Sequence, residues 1–475
     1  MWPAGPSSRR AFSFPGDLMR VLKFGGTSVA DAAAIRRLVA IVGARPGPRA
    51  VVVSALAGVT DGLLAIAERA GGDAFGALAA LEALTARHQG VAAEIRTEPL
   101  GRFTAAAIDG LARGAAQAVH TIAAAGRPSP ALVDRLLATG ELWSSRIVAA
   151  LLADSGIPSQ WIDARLLVQT DGRHMEAVPD MPATADAVGR IVRPVLAMDR
   201  VAVLAGFIGA APGGATTTLG RGGSDYSAAI VGACLDAHEI EIWTDVDGVL
   251  SADPGVVAGA RVLPTLSYED AATLARFGAK VLHPKTIEPA AARGIPVRVL
   301  NSRRPGEPGT RIDAMGGADG GYAAVASRGG VSLVEIVARD KIGGASFSAR
   351  ALLALSDAGI DFVLGEVHGD RLLVAVDRPI DLESLRARVA GFTGVRARNG
   401  LAAVCAVGDR LGSEAAVAGG AFGALGHGAV HLVSRPGGSA AFAVIVDGDD
   451  AHALVVRLHD WFMADGDAAR EAMAR

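Results

Sequence analysis

Apolar positions in the first three hundred residues fall into short unbroken runs separated by longer amphipathic stretches. "RVLKF" (20–24) reads as a strand that "GG" (25–26) breaks. Ile35, Leu38, Val39 and Val42 then recur at i, i+3, i+4 and i+7, which predicts a helix. "AVVVSA" (50–55) is the continuous apolar strand of a parallel sheet covered on both faces. Thr60 and Asp61 offer a helix start before "GLLAIAERA", and 73–155 is helical by composition. "SQWIDA" (159–164), "VAVLAGF" (201–207) and "EIEIW" (239–243) read as strands, with "SDYSAAIVGACLDA" (224–237) as the helix between the last two. "PVRVLN" (296–301) reads as the last strand of the series, and "SRRPGEPGT" (302–310) as a boundary. Strands alternating with helices predict an α/β sandwich of largely parallel strands.

The remainder repeats itself. "ALLALSDAGIDFV" (351–363) matches "AFGALGHGAVHLV" (421–433) at an offset of 70, each a helix, a glycine-bearing turn and a strand. "LLVAVD" (372–377) matches "FAVIVD" (442–447) at the same offset. With "VSLVEIV" (331–337) and "LAAVCAV" (401–407) leading in, each copy reads βαββ plus a closing helix, so two ferredoxin-like modules are expected.

Composition narrows the class. At about 150 residues per domain, 475 residues suggest three domains. The net charge of −3 gives no general case for nucleic acid or an anionic membrane as partner. Cys234 and Cys405 lie far apart in apolar stretches, the pattern of buried thiols in a reduced, cytoplasmic protein. No apolar run reaches the roughly 18 residues of a membrane span. Residues 1–18 are basic and lack an apolar segment, so they read as a disordered extension rather than a secretory signal, with Met19 an alternative start.

Chemistry concentrates at a few strand ends. In "KFGGTSVAD" (23–31) a lysine precedes a strand-to-helix turn whose bare backbone suits an anion such as phosphate, although two glycines after a strand also make an ordinary turn. "LGRGGSDYS" (219–227) puts Arg221 and Asp225 on either side of two glycines. It is not a dinucleotide fingerprint, because Asp225 stands where the third glycine belongs; helix capping by Ser224 and Asp225 is the bland alternative. Glu141 in "ATGELWSS" is by itself an ordinary helix carboxylate. "WTDVDGVLSADP" (243–254) clusters Thr244, Asp245, Asp247 and Asp253 just past a strand, where α/β sheets bind ligands, and "FGAKVLHP" (277–284) adds Lys280.

In this order, "KFGGTSV", "VVVSALAGVTDGLL", "TGELWS", "GFIGA…TTTLGRGGSDYSAAI", "WTDVDGV" and "FGAKVLHP" resemble the blocks of the aspartate kinases, members of the amino-acid kinase superfamily. The resemblance covers about residues 20–301 closely and 330–463 in outline. It implies an amino-acid-kinase-type three-layer αβα sandwich over 19–310, followed by two ACT-type ferredoxin-like modules at 325–395 and 396–475. The implied reaction transfers the γ-phosphoryl group of ATP to the β-carboxylate of L-aspartate, giving 4-phospho-L-aspartate.

The same resemblance implies roles. Lys23, Asp225 and Arg221 are the catalytic set, with Arg221 gripping the substrate's α-carboxylate through two parallel N–H···O bonds. Ser54, Thr60, Glu141, Phe207, Arg221 and Ser224 form the aspartate pocket, Glu141 meeting the ammonium. Lys23, Gly25, Gly26, Gly223, Thr244, Asp245, Asp253 and Lys280 hold ATP, whose Mg²⁺ uses few protein ligands. An amino-acid effector at the modules and a homodimer or larger assembly are expected. Leu250 and Gly255 depart from the family's aromatic residue and arginine near the nucleotide, and "GGASFSARA" and "LGEVHGDRL" depart from its effector-facing segments. A non-catalytic amino-acid-sensing relative and a kinase for another acidic amino acid are the alternatives.

Overall fold

The computed structural model describes residues 18–279, 284–316, 323–338, 344–389, 394–408, 421–435 and 441–473, with the single positions 392, 411 and 419. They form two compact units, Met1–Gly248 with Lys285–Ala314, and Val249–Pro284 with Met315–Arg475.

The first unit begins with β1 (Arg20–Phe24), α1 (Ala32–Gly43), β2 (Arg49–Val53) and α2 (Val59–Ala70). The long helical stretch resolves into α3 (Ala74–Ala92), α4 (Glu98–Ala125) and α5 (Pro130–Asp154). Then come β3 (Ser159–Ile162), α6 (Met181–Ala197), β4 (Val201–Ala205), the hairpin β5 (Ile208–Ala210) and β6 (Thr216–Thr218), α7 (Gly223–Leu235) and β7 (Glu239–Thr244). After β8 (Thr265–Ser267) and α8 (Tyr268–Arg276), which belong to the second unit, come α9 (Pro284–Ala291), β9 (Val297–Asn301) and β10 (Thr310–Asp313). The strands of the first unit run in the order β3-β4-β2-β1-β7-β9-β10, all parallel except β10, which pairs antiparallel with β9. The segment 296–301 is therefore the last parallel strand but not the last strand.

Helix starts follow the local chemistry. Asp31, Asp73 and Asp180 accept amide hydrogens at the N-termini of α1, α3 and α6, and α5 opens on Pro130. One sheet face packs Leu22, Phe24, Val51 and Val53 against Ile35, Leu38, Trp143 and Ile147 in a single core. The opposite face carries α6 and α7. Helix α5 is long and apolar enough to cross a membrane, but 89% of its most apolar window is buried inside the fold, so it is read as a core helix.

In the second unit, a six-stranded antiparallel sheet runs β12-β13-β11-β14-β16-β15, built from β11 (Ala323–Val337), β12 (Leu364–His368), β13 (Arg371–Val376), β14 (Gly394–Gly408), β15 (Val430–Ser434) and β16 (Ala441–Asp447). Helices α10 (Gly344–Asp357), α11 (Leu382–Arg388) and α12 (Ala451–Met473) accompany it. The two ferredoxin-like modules share β11 and β14, each 15 residues long. The later half of β11 pairs with β13 and with the start of β14, and its earlier half pairs with the end of β14. A register shift between Gly329 and Val331 separates the halves, so one continuous sheet serves both modules. From the stretch 249–284, Ala252 and Val257 pack into the core of the second module beside Val404, Val444 and Leu458. Ser251 Oγ lies 2.9 Å from Nε2 of the buried His459, and burial lowers that imidazole below the usual histidine range.

Candidate active site

The C-terminal ends of β1, β2 and β4 converge, and the motifs of the first unit meet there. Lys23 points from β1 toward α7. It is 7% exposed, and its Nζ lies 2.5 Å from Asp225 Oδ1. The chain has four lysines, Lys23, Lys280, Lys285 and Lys341, and arginine at every other basic position. A compact ammonium at a nearly buried site in so arginine-rich a chain marks a place where a point charge is wanted. Beside it the backbone is bare. A Cβ on Gly25 would stand 3.5 Å from Lys23 Nζ, and one on Gly26 would press 3.0 Å from Ala55 O.

Glu141 comes to the same rim from α5. Gly140 lets the helix approach the β2–α2 turn closely, since a Cβ there would stand 2.9 Å from that of Ala55. Ser144 Oγ donates to Ser54 O at 2.7 Å, and Ser54 N donates to Phe24 O at 3.0 Å, which ties α5, β2 and β1 together. Thr60 follows as the second residue of α2, half-buried. The Glu141 side chain is buried, and its Oε2 has no hydrogen-bond partner among the described residues. Burial pushes its carboxyl up to about 8, against the smaller opposing effect of the Ala55 amide.

The loop after β4 closes the third side. Gly206 N donates to Val53 O at 2.8 Å, and Phe207 N donates to Ser227 Oγ at 2.9 Å. Phe207 holds φ at +67°, a conformation that non-glycine residues rarely adopt. Contact with α7 is tight: a Cβ on Gly206 would stand 2.7 Å from Ser224 Oγ, and one on Gly223 2.5 Å from the Phe207 ring. Helix α7 has no side-chain cap. Gly222 occupies the cap at φ +72°, after Gly220 at +76°, a conformation glycine takes without strain. The capping reading of Ser224 and Asp225 therefore does not apply, and both side chains are left to the site. Asp225 lies in the first turn, where the helix dipole favours an anion. Arg221 is exposed on the turn and has no ion pair or hydrogen bond among the described residues.

Next to β1, β7 ends in Thr244, whose Oγ1 lies 3.2 Å from Asp245 Oδ1. The end of β9 braces this corner. Ser302 Oγ donates to Thr244 O at 3.0 Å, Ser28 Oγ donates to Ser302 Oγ at 2.8 Å, and Asn301 Nδ2 donates to Asp247 Oδ1 at 2.7 Å. Arg304 pairs with Asp247. Ser28, Asn301 and Ser302 were not among the sequence candidates, since single hydroxyls and amides in loops carry no pattern. Asp253 lies in the second unit, where its carboxylate accepts the Gly255 amide at 2.8 Å. Lys280 lies outside the described residues. Among the described residues no three His, Cys, Asp or Glu side chains gather to hold a metal. Cys234 and Cys405 are free and buried, and burial raises both thiols, that of Cys234 to about 12.

Among the described residues the site can thus offer a cation–carboxylate pair at a glycine-lined turn, a buried carboxylate with one unpartnered oxygen, and a guanidinium without a side-chain partner. Residues 19–301 match the amino acid kinase family. Lysine-sensitive aspartokinase 3 of Escherichia coli is 33% identical over 462 residues, covering 92% of this chain and 98% of that protein. The crystal structure of E. coli aspartokinase III with aspartate and ADP superposes with a TM-score of 0.83 at 32% identity, over 93% of this chain and 99% of that one. The form with lysine and aspartate gives 0.75 at the same identity and coverage. With a family match over more than half its length and a full-length relative at this identity, the chain belongs to the amino acid kinase family, among the aspartokinases.

Proposed function

We propose that this chain is an ATP-dependent aspartate kinase whose site residues act as follows. Arg221 receives the α-carboxylate of L-aspartate and Glu141 its ammonium, which leaves the β-carboxylate facing the Lys23–Asp225 pair. A β-carboxylate oxygen attacks the γ-phosphorus of ATP. The new O–P bond forms as the bond to the β,γ-bridging oxygen breaks, and ADP leaves. The nucleophile is already ionised at neutral pH, so the reaction needs no general base. What remains is alignment and the neutralisation of charge on the moving phosphoryl group. Lys23 supplies the cation, with the Gly25–Gly26 backbone beside it, and Ser54, Thr60, Phe207 and Ser224 shape the pocket. Gly223, Thr244 and Asp245 serve the nucleotide, and Asp253 and Lys280 are proposed for the same role. Mg²⁺, bound with the nucleotide, would help neutralise the phosphate charge and would need few protein ligands.

The observation that carries this reading is Glu141. A buried carboxylate with an unpartnered oxygen is costly unless a cation completes it, and the substrate ammonium is that cation. Purified protein with ATP, Mg²⁺, L-aspartate and hydroxylamine should form aspartyl hydroxamate. A folded protein that forms none overturns the reading. The proposed division keeps the kinase domain at 19–310 and the modules at 325–395 and 396–475. We place self-association on the modules, where Leu353, Phe362 and Val367 are exposed; light scattering of the full chain tests this.

A further inference from the structure

Asp134 lies on α5 seven residues before Glu141, two helical turns away and near the same face. Its carboxylate is fully buried and surrounded by donors. His174 Nδ1 lies 2.7 Å from Oδ2, Thr218 Oγ1 donates to Oδ1 at 2.6 Å, and Met175 N donates to Oδ1 at 3.1 Å. The loop that carries His174 backs the turn after β6. Ala177 N donates to Thr218 O at 2.9 Å, and Thr170 Oγ1 lies 2.9 Å from Thr217 Oγ1. A Cβ on Gly220 would stand 3.2 Å from Met175 O. Met175 itself holds φ at +71°, a strained value for a side-chain-bearing residue. Three residues beyond Thr218 comes Arg221, which has no side-chain partner among the described residues, so its backbone alone fixes where the guanidinium starts.

We propose that Asp134 and His174 are positioning residues for the substrate clamp: α5 holds Glu141 directly and, through Asp134 and His174, holds the turn of Arg221. One rigid helix then sets the separation between the ammonium acceptor and the α-carboxylate donor. That separation selects an α-amino acid and does not bear on ATP. The inference rests on the kinase reading above.

His174→Ala removes a donor, while His174→Asn puts an amide N–H near the place of Nδ1. In steady-state kinetics, His174→Ala should raise the KM for aspartate roughly tenfold, the size of one lost charge-assisted hydrogen bond, with kcat and the KM for ATP within about twofold. His174→Asn should restore most of it. Amide exchange over 216–223 should quicken in His174→Ala and recover in His174→Asn, with no substrate present. A general structural lesion would instead move both KM values and find no rescue, and that result overturns the proposal. So does an active His174→Ala with unchanged aspartate KM and unchanged exchange. A wild type that forms no hydroxamate fails the kinase reading, and the clamp with it. The exchange comparison still decides whether Asp134 and His174 hold the turn.

Discussion

Lys23 and Asp225 sit 202 positions apart in the chain, yet their charged atoms lie 2.5 Å apart where the end of β1 meets the first turn of α7. Each keeps the other from being a lone, largely buried charge. Lys23→Met should lower kcat by about 10²–10³, the usual cost of removing a group that stabilises transition-state charge. Asp225→Asn should lower it too. The double variant should lose less than the two single losses combined, because the second change removes a partner already without its counter-charge. Additive losses in the kinetic cycle would show that the pair does not work as a unit.

Glu141 makes the protein pH-sensitive in a definite direction. Its carboxyl rises from 4.5 to about 8 on folding. Between those values the folded state holds a proton that the unfolded state has released, so this residue's contribution to stability falls as pH rises through the window. Glu141→Gln should remove that slope and melt above wild type at pH 8.5. Substrate binding should show the reverse trend. The ammonium needs the ionised carboxylate, so aspartate binding below pH 8 releases a proton, and affinity climbs up to about tenfold per unit toward pH 8. Glu141→Gln should bind aspartate weakly at every pH and leave ATP affinity alone. Calorimetry in two buffers of different ionisation heat measures the released proton directly.

Gly206 is a packing constraint that no motif announces. A methyl group there would meet Ser224 Cβ and Oγ at 2.7 Å and its Cα at 2.9 Å, so the first turn of α7 would have to move. Gly206→Ala should destabilise the protein by about 1–3 kcal/mol and raise the KM for aspartate, since Ser224 and Asp225 shift with the turn. Gly189→Ala on α6 is the control. Nothing lies within 4 Å of its added carbon, and alanine favours the helix, so its melting temperature should hold or rise. Equal melting temperatures for the two variants would refute the clash.

The candidate site could be picked out because its parts are local. Lys23 with its two glycines, Glu141 after Gly140, and Arg221 with Asp225 each occupy a short stretch that is unremarkable alone, and it is their order and their resemblance to the aspartate kinase blocks that single them out. The apolar runs likewise predicted β1, β2, β3, β4, β7 and β9, whereas the three-residue strands β5, β6 and β8 are too short to leave a pattern. What escaped depends on contacts between distant positions. Asp134 and His174 are 40 residues apart, and neither looks unusual in its own surroundings. Phe207 gives no sign in sequence of its positive φ, since the tertiary contacts of the Gly206–Ser224 corner impose it. The shared strands β11 and β14 were read only in part, because the repeat offset aligns one half of each and says nothing of the other. Helix α5 was legible only as part of a long helical stretch; its bounds and its place in the core come from packing.

Regulation yields the last prediction. The E. coli relative is named as lysine-sensitive, whereas the described residues of α10 and β12 in the first module of this chain leave few polar groups free. Helix α10 begins Gly344, Ala345, Ser346, and its Phe347, Ala351 and Leu355 point into the core of the first module. Ser348 Oγ donates to Gly344 O at 2.6 Å, so its hydroxyl is engaged within the helix. On β12, Glu366 and His368 face each other at 3.0 Å rather than standing free for a zwitterion. An effector shifts a conformational balance only by its differential affinity for the two states, and described polar groups already engaged with one another leave it little affinity to divide. Lysine should therefore inhibit weakly, needing concentrations above those of aspartate, with the modules retained mainly for assembly. Initial rates titrated with lysine, with threonine and with both together measure this. Half-inhibition by lysine well below the aspartate concentration would mean that the chain grips its effector with other residues.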